Sequence, residues 1–251
     1  MIVIKSEHER GLMRQAGQIV AIVLKELEAK IKPGVTTKEL DELAENLILK
    51  LGGVPAFKGY GGFPASICAS VNQEVVHGIP GSRVLQDGDI ISIDVGAFYE
   101  GYCGDAARTF GVGEISPVAV KLLQVTKEAL DKGVAMAVKG NRLSDIGHAI
   151  QTHVEENGLS VVRQYVGHGI GRKMHEEPQV LNFGQPGRGP RLKAGMALAI
   201  EPMVNVGQFA VKTLSDNWTV ETQDGSLSAH FENTVFITEE GNEVLTAQEE
   251  Q

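Results

Sequence analysis

The segment Ile90–Gly111, IISIDVGAFYEGYCGDAARTFG, places the strongest constraint on the fold of this chain. Two extended runs of apolar and β-branched residues flank the pair Glu100 and Gly101, which is the pattern of a β-hairpin. Each run contains one aspartate, Asp94 in the first and Asp105 in the second. The segment therefore predicts a hairpin that carries one acid on each strand.

The register of this hairpin decides where the two acids point. With a two-residue loop, we expect Asp105 to face Gly96 and Asp94 to face Arg108, so that both carboxylates lie on one face as diagonal neighbours, about 7–8 Å apart. A three-residue loop would break this arrangement. Ionised carboxylates against an apolar layer are costly unless they are paired or bind a metal. The hairpin alone leaves open a solvated face, neutralisation of one acid by Arg108, or a metal site.

The order of predicted elements repeats along the chain. In the first part, capping boxes at Ser6–Glu9 and Thr36–Glu39 begin two amphipathic helices, which end at Lys32-Pro33-Gly34 and at about Leu51. A glycine-rich loop with three aromatic residues follows, and then strands at SICASV, around Val75 and in the hairpin.

In the second part, Ser116-Pro117 begins a helix to about Val138, and Ser144 caps another to about Asn157. Strands are predicted at 161–165, 196–206, 217–222 and 231–237. Two helices followed by strands thus occur twice. This order predicts an α+β fold, a single domain over 1–251 with similar halves of about 1–113 and 114–251, and a site where the halves meet.

Four further polar clusters lie in the second half. His168 lies among glycines in YVGHGIG, and His175 follows in MHEEPQV. Glu201 in AIEPMV and Glu232 in SAHFENTVFIT each interrupt an apolar strand. Any one of these residues alone fits a hydrogen-bonded core acid or a satisfied core histidine.

Taken together, Asp94, Asp105, Glu201 and Glu232 would place four negative charges in a dry interior, and the nearby sequence has no Lys or Arg cluster to balance them. Two divalent cations would do so. Carboxylates with one imidazole suit Mn, Fe or Co, and also Zn in a two-metal site. Water held between two such ions loses a proton near neutral pH and becomes a nucleophile, so the set predicts a hydrolase.

Composition excludes several other classes. A net charge of −9 argues against a large nucleic-acid footprint. No apolar run approaches the roughly 18 residues of a membrane span, and MIVIKSEHE does not have the pattern of a signal peptide. We therefore expect a cytoplasmic protein. Two cysteines, Cys68 and Cys103, provide neither a disulfide framework nor a zinc knuckle.

Five segments in this order carry a specific resemblance: NQEVVHGIP, IDVGAFYEGYCGDAART, VGHGIGRKMHEEP, AIEPMV and SAHFENT. They resemble the signature of the methionine aminopeptidases, a pita-bread metallopeptidase family, and the likeness covers essentially the whole chain. The resemblance implies a pseudo-two-fold fold in which helices cover a curved antiparallel sheet. It also implies removal of the N-terminal methionine from nascent proteins whose second residue is small.

The resemblance further implies roles for individual residues. The metal ligands are Asp94, Asp105, His168, Glu201 and Glu232, of which Asp105 and Glu232 bridge two divalent ions (Co, Mn, Fe or Zn). Glu201 accepts a proton from a bridging hydroxide nucleophile, His175 donates a hydrogen bond to the substrate carbonyl, and His77 steadies the peptide nitrogen or relays a proton. By position, the methionine pocket is formed by Tyr60, Phe63, Cys68, Met174 and Trp218.

Type I of the family fits best. Prolidases carry a large additional N-terminal domain, and type II enzymes insert a subdomain between the two glutamates, whereas only 30 residues separate Glu201 from Glu232. The family is mostly monomeric, and substrate supply implies work near the ribosome. Phe57 and Val76 stand where several relatives have cysteine, and His230 where many have glutamine; His230 either supports the metal site or only fills space. The alternatives are a non-enzymatic peptide binder and a proline-specific dipeptidase.

Overall fold

A computed structural model of the chain describes residues 1–247, so the last residues of the predicted domain, 248–251, lie outside the described part. Four α-helices are present in these residues: Glu7–Glu28 (α1), Thr37–Lys50 (α2), Pro117–Met136 (α3) and Leu143–Glu156 (α4), and a short 3-10 helix spans Tyr60–Gly62. The strands of the first half are Val54–Pro55 (β1), Ile67–Val71 (β2), Glu74–Val76 (β3), Ile90–Tyr99 (β4) and Tyr102–Gly111 (β5).

The strands of the second half are shorter: Ser160–Val161 (β6), Gly167–Gly169 (β7), Glu176–Val180 (β8), Ala197–Ile200 (β9), Met203–Asn205 (β10), Val211–Thr213 (β11), Val220–Thr222 (β12), Ser228–His230 (β13), Asn233–Ile237 (β14) and Asn242–Val244 (β15). All the pairings among the described strands are antiparallel. The predicted α+β architecture, with two helices before the strands of each half, is confirmed.

The helix starts follow the predicted caps in three of four cases. Ser6 and Thr36 form the capping boxes with Glu9 and Glu39, and Ser116 caps α3. The prediction that Ser144 caps α4 is wrong. The helix begins at Leu143, because the backbone of Leu143 bonds Pro190 and the Asp145 side chain accepts from the Arg142 amide. Ser144 instead accepts a hydrogen bond from the amide of Arg188.

The hairpin of β4 and β5 has the predicted two-residue loop. Glu100 and Gly101 both have positive φ, 48° and 79°, as a tight hairpin turn of matching twist requires. Asp105 pairs with Gly96 as predicted, but the predicted pairing of Asp94 with Arg108 is wrong: Asp94 faces Ala107, and Arg108 faces Ile93. With loop residues 100 and 101, the residue numbers of each facing pair add up to 201. The predicted partner of Asp94 was therefore wrong by one residue.

Alternation along β4 separates its two faces. Ile91, Ile93 and Val95 pack in a core with α1 and α2, so Asp94 lies on the opposite face. In the second half, α3 and α4 form a corresponding core with β9, β10, β13 and β14. Each helix pair therefore covers one side of the sheets, and the space between the halves remains for polar side chains.

The predicted strands of the second half were too long. The stretch 196–206 divides into β9 and β10 at Glu201-Pro202, and 231–237 begins only at Asn233. Ile200 pairs with Asn233, and Met203 with His230, so both glutamates lie in one gap between two ladders. The stretches 161–165 and 217–222 likewise shorten to β6 and β12. A proline cannot donate to a ladder, which explains the break at Pro202.

A ladder of hydrogen bonds joins the two halves. Every second residue of β5 is hydrogen-bonded to every second residue of the segment 230–234, which runs from the end of β13 into β14. The pairs are Thr109 with His230, Ala107 with Glu232, and Asp105 with Thr234, at 2.8–2.9 Å. This contact places the hairpin acids beside the glutamates of the second half. Within the described residues, no helix combines the length and apolar character needed to cross a membrane.

Candidate metal centre

A cavity of about 160 Å³ lies between the two halves. Its walls contain all twelve residues that the sequence analysis assigned to the site, together with Phe57, which that analysis did not assign to the pocket. The polar wall consists of His77, Asp94, Asp105, His168, His175, Glu201 and Glu232, and the remaining wall of Phe57, Tyr60, Phe63, Cys68, Met174 and Trp218. The structure thus collects the predicted residues around one space.

The hairpin acids form the first side of this site. The carboxyl groups of Asp94 and Asp105 lie close enough for each to influence the pKa of the other. Asp105 is buried, which rules out a solvated face. Arg108 does not neutralise either acid, because its guanidinium donates to the backbone oxygens of Ala107 and Glu232 and, at 2.7 Å, to Asn233 Oδ1. Of the explanations left open by the hairpin, a metal site remains.

The second half supplies the other side. One ligand atom each from Asp105, His168 and Glu232 lies within 4.8 Å of the other two. Glu201 joins this group through His168, with its Oε1 3.5 Å from His168 Nε2. Asn182, which the sequence analysis missed, donates from Nδ2 to the backbone oxygen of Glu201 at 3.0 Å.

The proton on the His168 ring can be assigned from its contacts. Nδ1 lies 2.9 Å from the backbone oxygen of Gly169, which only accepts, so Nδ1 carries the proton. Burial lowers the pKa of His168 to about 4, and the ring is neutral at pH 7. Nε2 therefore presents a lone pair to Glu201 Oε1. A carboxylate oxygen facing a lone pair at this distance is stabilised by a cation that both can bind.

The electrostatics of the four carboxyl groups also favour a bound cation. Burial raises the carboxyl pKa of Asp94, Asp105, Glu201 and Glu232, and neighbouring carboxylates raise those of the last three further. Buried oxygens of Asp94, Asp105 and Glu232 have no hydrogen-bond partner among the described residues. Oxygen-rich ligands with one imidazole are the set that divalent transition-metal ions take. The residues present therefore fit the implied metal ions.

Two further histidines border the cavity. His175 places Nδ1 2.9 Å from the Tyr60 hydroxyl, and its ring centre is 4.3 Å from that of His168. His77 packs edge-on against Tyr165 and Trp218, with a backbone φ of +60° that few non-glycine residues adopt. Burial lowers the pKa of both rings, that of His77 to about 4. Both are neutral at pH 7 and can donate and accept.

The apolar wall has aromatic edges. The Phe63 and Trp218 rings meet edge to face, 5.1 Å between centres. Phe57 lies against Gly96, where a Cβ would fall 2.6 Å from its ring, so glycine at this position makes room for the phenylalanine. Burial raises the pKa of the Cys68 thiol well above its usual value, which keeps it protonated and unsuited to nucleophilic attack.

The acids, the oriented imidazole and the cavity that they line define a metal-dependent hydrolase site. Comparison with known proteins agrees: residues 11–239 match metallopeptidase family M24. The chain is 63% identical over 247 residues to methionine aminopeptidase of Clostridium acetobutylicum, and 61% identical over 246 to methionine aminopeptidase 1 of Bacillus subtilis, with 98% of this chain and 99% of each relative covered. The chain therefore belongs to metallopeptidase family M24.

Solved structures support the same conclusion. The crystal structure of methionine aminopeptidase from Rickettsia prowazekii superposes with a TM-score of 0.97 at 44% identity, over 98% of this chain and all of that one. The pita-bread fold and the resemblance to the type I methionine aminopeptidases are thereby confirmed, as is the prediction of a metal-dependent aminopeptidase.

Proposed function

We propose that this enzyme removes the N-terminal methionine from peptides and nascent chains whose second residue is small. The observation that carries the proposal is a group of apolar and aromatic side chains that line the same cavity as the acid cluster. An unbranched, polarizable methionine side chain suits such a pocket, because its sulfur makes favourable contacts with ring edges. The names of the relatives support the same substrate.

Asp94, Asp105, His168, Glu201 and Glu232 would hold two divalent ions. Four carboxylates balance the charge of two such ions, and the unpartnered buried oxygens favour this assignment. Mn, Co, Fe and Zn all accept these ligands. When bound, the ions supply acidity to a water molecule and polarise the substrate carbonyl.

Side chains of this enzyme then accept and donate protons during the reaction. Glu201 takes the proton from the attacking water and passes it to the leaving amine. The Tyr60 hydroxyl donates a hydrogen bond to Nδ1 of His175, so the ring proton is on Nε2 and can bond the substrate carbonyl oxygen as charge develops. His77, which lines the same cavity, steadies the peptide nitrogen or relays a proton.

The wider setting of the reaction is part of the same proposal. Methionine-led termini are supplied as chains leave the ribosome, so the enzyme acts co-translationally in the cytoplasm. We propose one catalytic domain over 1–251 that works as a monomer, with halves of about 1–113 and 114–251. Its net charge of −9 disfavours a specific nucleic-acid site.

The test compares three peptides on purified, chelator-treated protein resupplied with Mn, Co, Fe or Zn. Met-Ala-Ser should release methionine, whereas Met-Leu-Ser should be cleaved at least ~10-fold more slowly, since the bulky second residue meets the cleft wall. Ala-Pro dipeptide should remain intact. Preferential cleavage of Ala-Pro would establish a proline-specific dipeptidase instead. No release from Met-Ala-Ser with any metal would leave a peptide-binding protein.

A further inference from the structure

His230 is a buried histidine that the catalytic scheme above does not use. The residue is 2% exposed, and its Nε2 has no hydrogen-bond partner among the described residues. That atom lies 3.7 Å from Oε2 of Glu201. A buried polar atom without a partner costs about 1–3 kcal/mol, so an imidazole that merely filled space would be a poor choice here.

The two oxygens of Glu201 have different neighbours. Oε1 faces Nε2 of His168 at 3.5 Å, and Oε2 faces Nε2 of His230. His168 has its proton fixed on Nδ1 by Gly169. Among the described residues, no contact of this kind ties the proton of His230 to its Nδ1, so Nε2 can carry it. One imidazole therefore offers Glu201 a lone pair and the other can offer a proton.

The contact of His230 is with Glu201 rather than with the compact group of ligand atoms. That group contains Asp105, His168 and Glu232. Nε2 of His230 lies 3.7 Å from Oε2 of Glu201, whereas Nε2 of His168 lies 3.5 Å from the other oxygen, Oε1. A neutral imidazole in this place is arranged to bond the carboxylate rather than the ion.

We propose that His230 is a positioning residue that donates a hydrogen bond from Nε2 to Oε2 of Glu201, and so directs Oε1 toward the metal ions. The inference rests on the function proposed above. Side-chain motion of about 0.5 Å brings the two atoms to hydrogen-bonding distance. Glu201 is held at both ends, since Asn182 bonds its backbone oxygen. A general base that is held in one orientation can transfer a proton without first changing its side-chain conformation.

The experiment measures metal binding as well as turnover. His230→Leu removes the donor at similar volume, and His230→Gln restores an N–H donor. His153→Leu is the matched control, since Nε2 of His153 pairs with Glu128 away from the cavity, at 2.9 Å. Each metal-free protein is titrated with Mn²⁺ by calorimetry and with Co²⁺ by visible absorption, and kcat and KM are measured on Met-Ala-Ser.

We expect His230→Leu to weaken Mn²⁺ binding about 10- to 100-fold, to alter the Co²⁺ absorption bands, and to lower kcat with little change in KM. His230→Gln should recover each property to within about 3-fold, and His153→Leu should match wild type. If the wild-type protein binds metal normally and His230→Leu has the same metal affinity and spectrum, the inference about His230 is overturned and the proposed function is not. A wild-type protein that binds neither ion would overturn the proposed function with it.

A folded-state control accompanies the titration. If His230→Leu does not fold, judged by circular dichroism and thermal melting, the comparison moves to His230→Gln against His230→Asn, whose shorter amide cannot reach Glu201. Weaker metal binding in the asparagine variant supports the inference, and equal binding in both contradicts it.

Discussion

The hydroxyl of Tyr60 lies 2.9 Å from Nδ1 of His175, so the glycine-rich loop of the first half reaches across the cavity to a histidine of the second half. The two rings are 5.3 Å apart between centres. A phenol that donates to Nδ1 selects the ring form in which Nε2 carries the proton. The loop thereby prepares His175 to donate to a substrate.

Tyr60→Phe removes this hydroxyl while keeping the ring. We expect kcat on Met-Ala-Ser to fall about 2- to 10-fold with KM nearly unchanged, since one neutral hydrogen bond contributes about 0.5–1.5 kcal/mol. Steady-state kinetics with saturating metal measure the effect. Tyr99→Phe, in β4 away from the cavity, makes the same chemical change and should have no effect. A Tyr60→Phe variant with wild-type kcat would show that His175 needs no such partner.

Asp105→Asn and His175→Ala should separate metal binding from turnover. The asparagine variant loses a charged ligand in the compact group, so metal content after dialysis should fall by at least ~10-fold. His175→Ala should retain metal but lose about 100- to 1000-fold in kcat, as for removal of an oxyanion donor. Elemental analysis and kinetics on the same samples give both quantities. Full metal content and rate in Asp105→Asn would contradict its assignment as a bridging ligand.

Gly96→Ala should damage the pocket through Phe57. The added Cβ would lie 2.6 Å from the Phe57 ring and 3.0 Å from Ala56 Cβ, so the ring must move toward the cavity. Overpacking of this kind costs about 1–3 kcal/mol, measured by urea unfolding of the metal-free protein. Gly11→Ala, in α1 with open space around it, should instead be neutral or stabilising. Equal stability of the two variants would disprove the proposed clash.

Metal should stabilise the fold more strongly as pH rises. The four carboxyl groups have raised pKa values in the fold, so the metal-free fold holds extra protons and loses stability as pH rises from about 4 through those values. His168 has a folded pKa of about 4 against an ordinary 6.5, and its burial favours folding only above that range.

Cations bind only the proton-free forms of these groups. The rise in Tm on addition of Mn²⁺ should therefore be larger at about pH 7.5 than at about pH 5.5, as measured by calorimetric scans with and without the ion. In Asp105→Asn this pH dependence should shrink together with the rise itself. An Mn²⁺ effect that grows toward acid pH would contradict the charge arrangement described here.

The hairpin shows how much of the structure the local sequence determines. Side-chain alternation and the positive-φ loop residues Glu100 and Gly101 determine which residues of β4 face the helices and which face the cavity. Asp94 and Asp105 were therefore predictable as neighbours. Only the partner of Arg108 was misjudged, and its guanidinium turned out to bond backbone and amide oxygens of the other half.

The second half was less predictable in detail. Glu201 and Glu232 were visible as acids within apolar runs, but the sequence did not show that the ladder breaks at both of them. The breaks in the ladder depend on pairing between strands that are distant in the chain. Ile200 must pair with Asn233 before either glutamate has a defined position. The predicted cap of α4 failed for the same reason, since the first amides of that helix donate to the backbone oxygens of Pro190 and Arg188.

By itself, the sequence determined the helices, the hairpin, the α+β class and the identity of the acids and imidazoles, because these follow from periodicity, turn chemistry and side-chain type. Tertiary structure alone decided that His230 faces Glu201, that Tyr60 bonds His175 and that Phe57 lies on Gly96. Such contacts join residues separated by 29 or more positions in the chain, and they exist only after distant strands and loops have packed together. Local preferences act within a few residues, whereas packing sets the relative position of whole strands.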